Sequence, residues 1–176
     1  MKPLHTFPLL TALVCTSLGA SVASADIRPA TSACEQGREQ TTPSRDFTLL
    51  EDGAVVRHDE TGLEWRRCPE GMEWTGSRCS GTPLELSWHE AVEYAEEKEG
   101  WHLPGIHDLR SIVEECRDLP SINEQVFPNT PAGPFWSSSR DSKHDNQAFR
   151  VQFSLGITSN FLKNNSYKVR LVRSAQ

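Results

Sequence analysis

Residues 87–116 read SWHEAVEYAEEKEGWHLPGIHDLRSIVEEC, and this stretch predicts two consecutive helices. In its first half, Ser87 followed three residues later by Glu90 is a capping-box signature, and Gly100 is a suitable C-terminal stop. In its second half, the apolar side chains recur at helical spacing. These side chains are Ile106, Leu109, Val113 and Cys116. The rest of the chain therefore has to cover the apolar stripes of two helices.

Short β-strands flank this helical stretch on both sides. Before it, FTLL, AVVRHD and LEWRRC are separated by turn residues at 51–53 and 60–62, which predicts a small β-meander. After it, AFRVQF, ITSNF and SYKVRLV alternate like strands of an antiparallel sheet. Strands on both sides of two helices predict a fold of the α+β class.

The first residues have the composition of a secretory signal peptide. Lys2 precedes an apolar run, and Ala-Ser-Ala at 23–25 is an A-x-A cleavage site. Cys15 would suit a lipoprotein, but Val14 stands where the lipidation motif has a small residue. We therefore expect a signal peptide at 1–25, an extended lead-in at 26–46 and one domain at 47–176, exported to the periplasm, cell surface or medium.

The four remaining cysteines are an even set, as expected of disulfides in an exported chain. Three pairings are possible in principle. Cys68 and Cys79 bracket a short loop rich in turn formers, which favours their pairing, and Cys34 is assigned to Cys116 by elimination. A closed loop of the Cys68–Cys79 size contributes about 3 kcal/mol in the chain-entropy model. A zinc site with four thiolates is disfavoured because no C-x-x-C pair occurs.

Charge is distributed unevenly along the chain. The formal net charge is −6, yet from Ser138 onward there are seven basic residues against two acidic ones. If the strands after the helices are neighbours, their polar faces would form a cationic stripe able to bind a polyanion. The candidate ligand-binding residues are Arg140, Lys143, Arg150, Lys163 and Lys168. Alternatively, Arg170 and Arg173 are buried partners of carboxylates, and the lysines are merely solvated.

Nothing in the sequence indicates catalysis or a cofactor. The serines of FWSSS, residues 135–139, have no G-x-S-x-G elbow around them, which favours strand and turn, with Phe135 and Trp136 in the core. His102 and His107 lie five apart, unlike a helical zinc pair. We therefore predict no enzymatic activity, no cofactor and no metal in the site.

The order of motifs in this chain is similar to that of a known family. The segments are DGAVVRHDETGLEWRRC, a C…WTG..C loop, SWHEAVEYA, WHLPGIHDLRSIV, INEQVFPNTP, FWSSS and NNSYKVRLVR. From about Asp52 to Arg173 the chain resembles the Lcl C-terminal domain family, a bacterial domain first named from a collagen-like surface adhesin. It departs from the family at WHLPG, where His102 replaces an arginine and Gly105 replaces an asparagine that would cap a helix better.

The resemblance implies a C-type-lectin-like fold, with two helices on twisted antiparallel sheets. In the adhesin, the domain is associated with binding sulfated polysaccharides, and a collagen-like stalk forms trimers. This chain has no Gly-X-Y repeat, so trimerisation is not implied. Calcium-dependent sugar binding is not supported, because Phe127-Pro128-Asn129 lacks the carboxylate ligands that calcium prefers, although a structural calcium elsewhere stays open.

These observations predict a secreted or periplasmic binding module that recognises an anionic glycan through its C-terminal strands. The alternative is a structural component of the cell envelope that docks a protein. Nucleic acid is not an expected partner because the chain is exported, and no membrane span follows the signal peptide. The sequence does not indicate the oligomeric state.

Overall fold

The computed structural model describes Cys34 and residues 37–175. The predicted signal peptide, its cleavage site and Cys15 lie outside the described residues. So do residues 26–33, 35 and 36 of the predicted lead-in at 26–46. No helix within the described residues is long and apolar enough to cross a membrane.

The described chain contains eleven strands and two α-helices, with the helices in the middle, so the α+β class is confirmed. Strands β1 Phe47–Leu50, β2 Val55–His58 and β3 Leu63–Arg66 form the predicted meander. Next come β4 Met72–Trp74, β5 Cys79–Gly81, β6 Glu85–Leu86, α1 Trp88–Glu96 and α2 Ile106–Arg110. The chain continues with β7 Pro134–Arg140, β8 Gln147–Gln152, β9 Ile157–Leu162, β10 Tyr167–Lys168 and β11 Val172–Ser174.

The strands form three sheets. One has four strands in the order β1-β2-β3-β11, and a second has five in the order β6-β10-β7-β8-β9. A small hairpin, β4-β5, makes the third. All pairings are antiparallel except that of β10 with β7. The last strand therefore returns to the meander instead of joining its neighbours in sequence.

Helix α1 begins as predicted, whereas α2 is much shorter than predicted. The Ser87 side chain accepts a hydrogen bond from the Glu90 N–H, and the Glu90 carboxylate accepts one from the Ser87 N–H, so the capping box is present. Helix α2 ends at Arg110, so the helical interpretation of Val113 and Cys116 was wrong. There the Glu114 N–H donates to the distant Ser121 carbonyl, which replaces a helical hydrogen bond.

The two faces of the five-stranded sheet bury different cores. On one face, Phe135 and Val151 pack with Leu109 of α2 and with Val56 and Trp65 of the meander. On the other face, Trp136 and Ala148 pack against α1. Successive residues of a strand point to opposite faces, which is why the pair Phe135-Trp136 serves both cores, as the sequence predicted for the two aromatics.

The predicted strand SYKVRLV is divided in the structure. Tyr167 and Lys168 pair in the five-stranded sheet, whereas Val172 pairs with Trp65 in the four-stranded sheet. Between the two pieces, Val169, Arg170 and Leu171 are all buried. The prediction of one alternating strand was therefore wrong, because this segment crosses between two sheets and buries consecutive side chains.

Two connections fasten the segment before β1 to the domain. The first connection is the disulfide Cys34–Cys116. This bond and Cys68–Cys79 are both present, as the sequence predicted. In addition, the fully buried Glu114 carboxylate accepts hydrogen bonds from the backbone N–H and hydroxyl groups of Thr41 and Thr42, at 2.8–3.0 Å. Residues just before Phe47 thus pack on the domain.

Candidate functional site

Three connecting segments meet at one end of the five-stranded sheet. The Trp88 N–H at the start of α1 donates to the Lys163 carbonyl at 2.9 Å, and the Lys163 N–H donates to the Asn146 carbonyl at 2.9 Å. These two hydrogen bonds join the α1 N-terminus, the β9–β10 turn and the β7–β8 loop. Backbone bonds of this kind hold loop side chains in fixed relative positions.

A polar groove of about 660 Å³ lies between these three segments, and we call it the loop groove. The α1 end contributes Ser87, His89 and Glu90. The β7–β8 loop contributes Asp145 and Asn146, and the β9–β10 turn contributes Leu162, Lys163, Asn164 and Ser166. The lining thus offers carboxylate, amide, hydroxyl, imidazole and ammonium groups, a set that can both donate and accept hydrogen bonds.

Four of the eight polar side chains that line the loop groove are not used by the fold, whereas the others, Lys163 included, have contacts within the protein. Within residues 37–175, no hydrogen bond is found for the side chains of Asp145, Asn146, Asn164 and Ser166. Asp145, Asn146, Asn164 and Ser166 are also exposed. Glu90 differs, because its hydrogen bonds with Ser87 lower the pKa of its carboxyl and commit it to the helix cap. Four groups are therefore available to a ligand without breaking a contact of the protein.

The Trp88 indole brings two of the predicted cations together. Its ring is buried, and its Nε1–H donates to the Ser137 carbonyl at 2.8 Å. The Lys163 ammonium lies 4.7 Å from the ring centroid and the Arg140 guanidinium lies 5.5 Å from it, both within cation–π range. Arg140 and Lys163 thus share one aromatic ring at the loop groove.

A third predicted cation, Lys143, is on the rigid β7–β8 loop. The buried Asp141 carboxylate accepts hydrogen bonds from the Lys143 backbone N–H at 2.9 Å, from His144 and from Asn160. These donors, the Lys143 N–H first, lower the pKa of Asp141 to about 2. The Lys143 side chain remains exposed in this loop.

The fourth predicted cation, Arg150, lies under two aromatic rings beside the loop groove. Its guanidinium lies 4.3 Å from the Phe161 ring centroid and 5.0 Å from that of Tyr167. It also donates a hydrogen bond to Gln152, and burial lowers its pKa. Leu162 and Ser166, the sequence neighbours of these rings, line the loop groove, whereas the two rings do not, and Phe161 is 42 % exposed.

Lys168 lies apart from the other four. It follows Tyr167 in β10 and so points to the opposite face of the sheet, where its ammonium pairs with Glu85 at 2.7 Å. Moreover, β7 lies between β8 and β10, so the condition for the predicted cationic stripe is not met. The structure thus places Arg140, Lys143 and Lys163 around one end of the sheet, Arg150 within β8 and Lys168 on the opposite face.

The two C-terminal arginines have structural contacts. Arg173 pairs with Glu51 at 2.6 Å and with Glu64 at 2.7 Å, as the structural alternative predicted. Arg170 is fully buried, but its guanidinium donates to the carbonyls of Arg66 and Arg67 and to the Thr130 hydroxyl instead of to a carboxylate. Burial lowers the pKa of Arg170 to about 9, so it is charged at neutral pH.

The serines and acidic groups considered for chemistry also have structural contacts. Ser137 is buried and donates to the Phe149 carbonyl at 2.7 Å, while the Ser139 hydroxyl accepts from the Ile106 N–H at 2.9 Å. Within the described residues, the group of three potential metal ligands is Cys34, Glu114 and Cys116. Its two cysteines form a disulfide, so neither offers a thiolate.

Sequence reasoning did not find the neutral side chains of the loop groove. His89, Asn146, Asn164 and Ser166 lie on three segments that are far apart in the chain, and none is part of a motif. The available signal was weak: Asp145-Asn146 and Asn164-Asn165 are pairs of turn-forming residues at the ends of predicted strands.

The fold and the groove together define a small disulfide-bonded α+β domain with an open polar groove at one end. The family model of the Lcl C-terminal domain matches residues 54–173, more than half of the chain, and the chain therefore belongs to the Lcl C-terminal domain family. No curated protein matches the chain. Family membership suggests a binding module or an adhesin-like role.

Proposed function

We propose that this protein is an exported, non-enzymatic binding module that recognises an acidic glycan in the loop groove. The observation that carries the proposal is the set of unused polar side chains of the loop groove next to Arg140 and Lys163. The C-type-lectin-like architecture that the family resemblance implies, and export to the periplasm or beyond, are parts of the same proposal.

The chemistry of the groove suits a polyhydroxylated ligand. A sugar presents hydroxyls that donate and accept, and Asp145, Asn146 and Asn164 offer both kinds of partner. Leu162, which is 43 % exposed, adds an apolar surface to the lining, against which the C–H groups of a sugar ring can pack. These contacts do not require a charge on the ligand.

The cations supply the preference for an acidic sugar. Arg140, Lys143 and Lys163 lie around the groove, whereas of its two carboxylates Glu90 is committed to the helix cap. A sulfate or carboxylate on the sugar would therefore meet more positive than negative charge. Such exposed contacts are screened by salt, since the Debye length falls to about 8 Å at physiological ionic strength.

The test is binding of the oxidised protein to immobilised sulfated, carboxylated and neutral glycans at low and physiological salt. We expect binding to the acidic glycans that weakens as salt is raised. Lys163→Gln should weaken binding about tenfold, because it removes a charge-assisted contact. Lys168→Gln changes the net charge equally but lies on the opposite face, and it should leave binding nearly unchanged.

Three outcomes would contradict the proposal. They are equal binding of neutral and acidic glycans, equal loss of binding in the Lys163 and Lys168 variants, and no binding to any glycan at either salt. The first would retain a glycan site but remove the role of the cations, and the second would show that only overall charge matters.

A second candidate function is the docking of an envelope or surface protein through β9. This strand is at the edge of the five-stranded sheet, and Ile157, Phe161 and Leu162 are 51 %, 42 % and 43 % exposed. An exposed apolar edge strand can accept a further strand from a partner. Binding by this route should resist salt and be lost in Ile157→Lys, which separates it from glycan binding.

A further inference from the structure

A second groove, of about 710 Å³, lies between the segment that follows α2 and the β8–β9 turn. We call it the Arg117 groove. Its walls include Arg110, Arg117 and Asp118 on one side and Leu155, Ile157 and Thr158 on the other. It shares no lining residue with the loop groove, so a ligand here would bind independently of the one proposed above.

Arg117 is buried, and none of the described residues is its partner. It is only 8 % exposed, and its Nε is buried with no hydrogen-bond partner. No hydrogen bond or ion pair is found for the rest of its guanidinium in the part of the chain that the structure describes. Holding a guanidinium away from water costs free energy unless its donors are satisfied. Among the described residues, the Arg117 donors therefore have no acceptor.

The nearby acidic groups are engaged with other residues. Glu115 pairs with Arg110 at 3.2 Å, and Asp118 accepts a hydrogen bond from the Ser121 hydroxyl at 3.4 Å. Both carboxylates are exposed, so neither is held against the Arg117 guanidinium. Arg117 thus has no ion pair among the described residues, although Glu115 and Asp118 also line the groove.

Two further features of the lining fit a ligand with an acidic head. The Thr158 hydroxyl is also buried without a hydrogen-bond partner, so a second donor lines the same groove. Leu155 and Ile157 are 57 % and 51 % exposed, which places aliphatic surface beside these donors. A guanidinium and a hydroxyl next to aliphatic side chains match an oxyanion attached to a small apolar group.

We propose that the Arg117 groove is a second binding site, which takes a carboxylate or sulfate group in a bidentate hydrogen bond with the Arg117 guanidinium. The Thr158 hydroxyl donates to the same oxyanion, and Leu155 and Ile157 contact the carbon atoms next to it. Arg110, whose guanidinium is paired with Glu115, lies at the edge of the groove.

The experiment is an NMR titration of the oxidised ¹⁵N-labelled protein, following the Nε–Hε signal of Arg117. The probes are sodium acetate, sodium butyrate and sodium sulfate, with sodium chloride at matched ionic strength as the control. We expect saturable shifts with the three oxyanions and none with chloride. Butyrate should bind more tightly than acetate, by up to about fourfold for each methylene that contacts Leu155 or Ile157.

Variants make the assignment specific. Arg117→Gln should weaken oxyanion binding about tenfold or more, and Arg117→Lys should weaken it less because it keeps the charge but loses the planar bidentate geometry. Arg57→Gln, at a guanidinium already paired with Asp59, is the matched control and should bind like the unmodified protein. Lys163→Gln should also leave this titration unchanged, so failure of either site is distinguishable from failure of the other.

Non-saturable shifts that are the same with chloride would overturn the proposal, as would unchanged binding in Arg117→Gln. Circular dichroism of each variant reports whether it folds. If Arg117→Gln does not fold, the titration of the unmodified protein still decides, because the Arg117 signal itself must respond.

Discussion

Two buried arginines of this domain have opposite surroundings. Arg170, between the two large sheets, has no exposed surface, and its two terminal nitrogens donate to two carbonyls and the Thr130 hydroxyl, although its Nε has no partner among the described residues. Arg117, in its groove, is almost as buried, yet no partner is found for it within residues 37–175. The difference teaches that burial alone does not make a charge structural; the partners that the chain supplies decide whether the charge stabilises the fold or remains available.

The largest effect is expected from Arg170→Met. Methionine fills a similar volume but leaves the carbonyls of Arg66 and Arg67 and the Thr130 hydroxyl buried without a donor. The substitution should therefore lower the free energy of unfolding by about 3–5 kcal/mol, as when one partner of a buried charged contact is removed. Urea unfolding of the oxidised protein measures it. A loss below about 1 kcal/mol would show that the guanidinium contributes little net stability.

A smaller effect is expected from Glu114→Gln, which tests a satisfied buried charge of the opposite sign close to Arg117. Burial disfavours the charged form of Glu114, but the hydrogen bonds from Thr41, Thr42 and Cys116 outweigh it and lower the pKa of the carboxyl. Glutamine offers one acceptor oxygen in place of two, so we expect the free energy of unfolding to fall by about 2 kcal/mol at neutral pH.

The pH dependence follows from the same contacts. The folded-state pKa of Glu114 lies below its unfolded value of about 4.5, so its stabilisation is complete above that pH and is lost as the pH falls through the folded-state pKa. The stability of the unmodified protein should then approach that of Glu114→Gln in acid. Unfolding curves at several pH values measure the difference in free energy of unfolding between the two proteins. A difference that stays constant down to acidic pH would contradict the role of the Glu114 carboxylate.

The smallest effect is expected from Arg117→Met. Among the described residues no hydrogen bond is lost, and a buried charge without an ion pair is removed. The free energy of unfolding should change by less than about 1 kcal/mol, or increase. Run beside Arg170→Met, this is the same substitution at a similarly buried site. Equal losses of unfolding free energy in the two variants would show that the two arginines do not differ in their contribution to stability.

The first turn of α1 and the meander were predictable because their signals are local. Ser87 and Glu90 form the capping box within one turn, and the strands Phe47–Leu50, Val55–His58 and Leu63–Arg66 are separated by turn residues at the predicted positions. Such features depend on residues a few positions apart, which a sequence pattern contains.

The errors occurred where distant segments compete with a local pattern. The helical spacing of Val113 and Cys116 is real, but the Glu114 side chain and backbone bind Thr41, Thr42 and Ser121 instead of helical partners. The alternation of SYKVRLV likewise did not show that Arg170 would point inward to carbonyls 103–104 residues away. The spacing of residues does not predict the hydrogen bonds of Glu114 or of Arg170, because their partners are elsewhere in the chain.

The candidate site was only partly predictable for the same reason. Charge counting found Arg140, Lys143 and Lys163, but Lys168 lies on the other face of the sheet. The amides and hydroxyls of the loop groove meet only because the backbone bonds of Lys163 join three segments. Arg117 was not singled out at all, since an arginine beside a structural cysteine carries no pattern of its own.

The pairing of β11 with β3 also sets an order of events in folding. Arg173 lies opposite Glu64, so this ladder joins residues 109 positions apart, and the meander exposes the unpaired edge of β3 until the ladder forms. Contacts of such long range are slow to form, because a large loop must close first. During synthesis from the N-terminus, the β3 edge therefore stays open until residues 172–174 have been made, and in that interval it can pair with a strand of another chain.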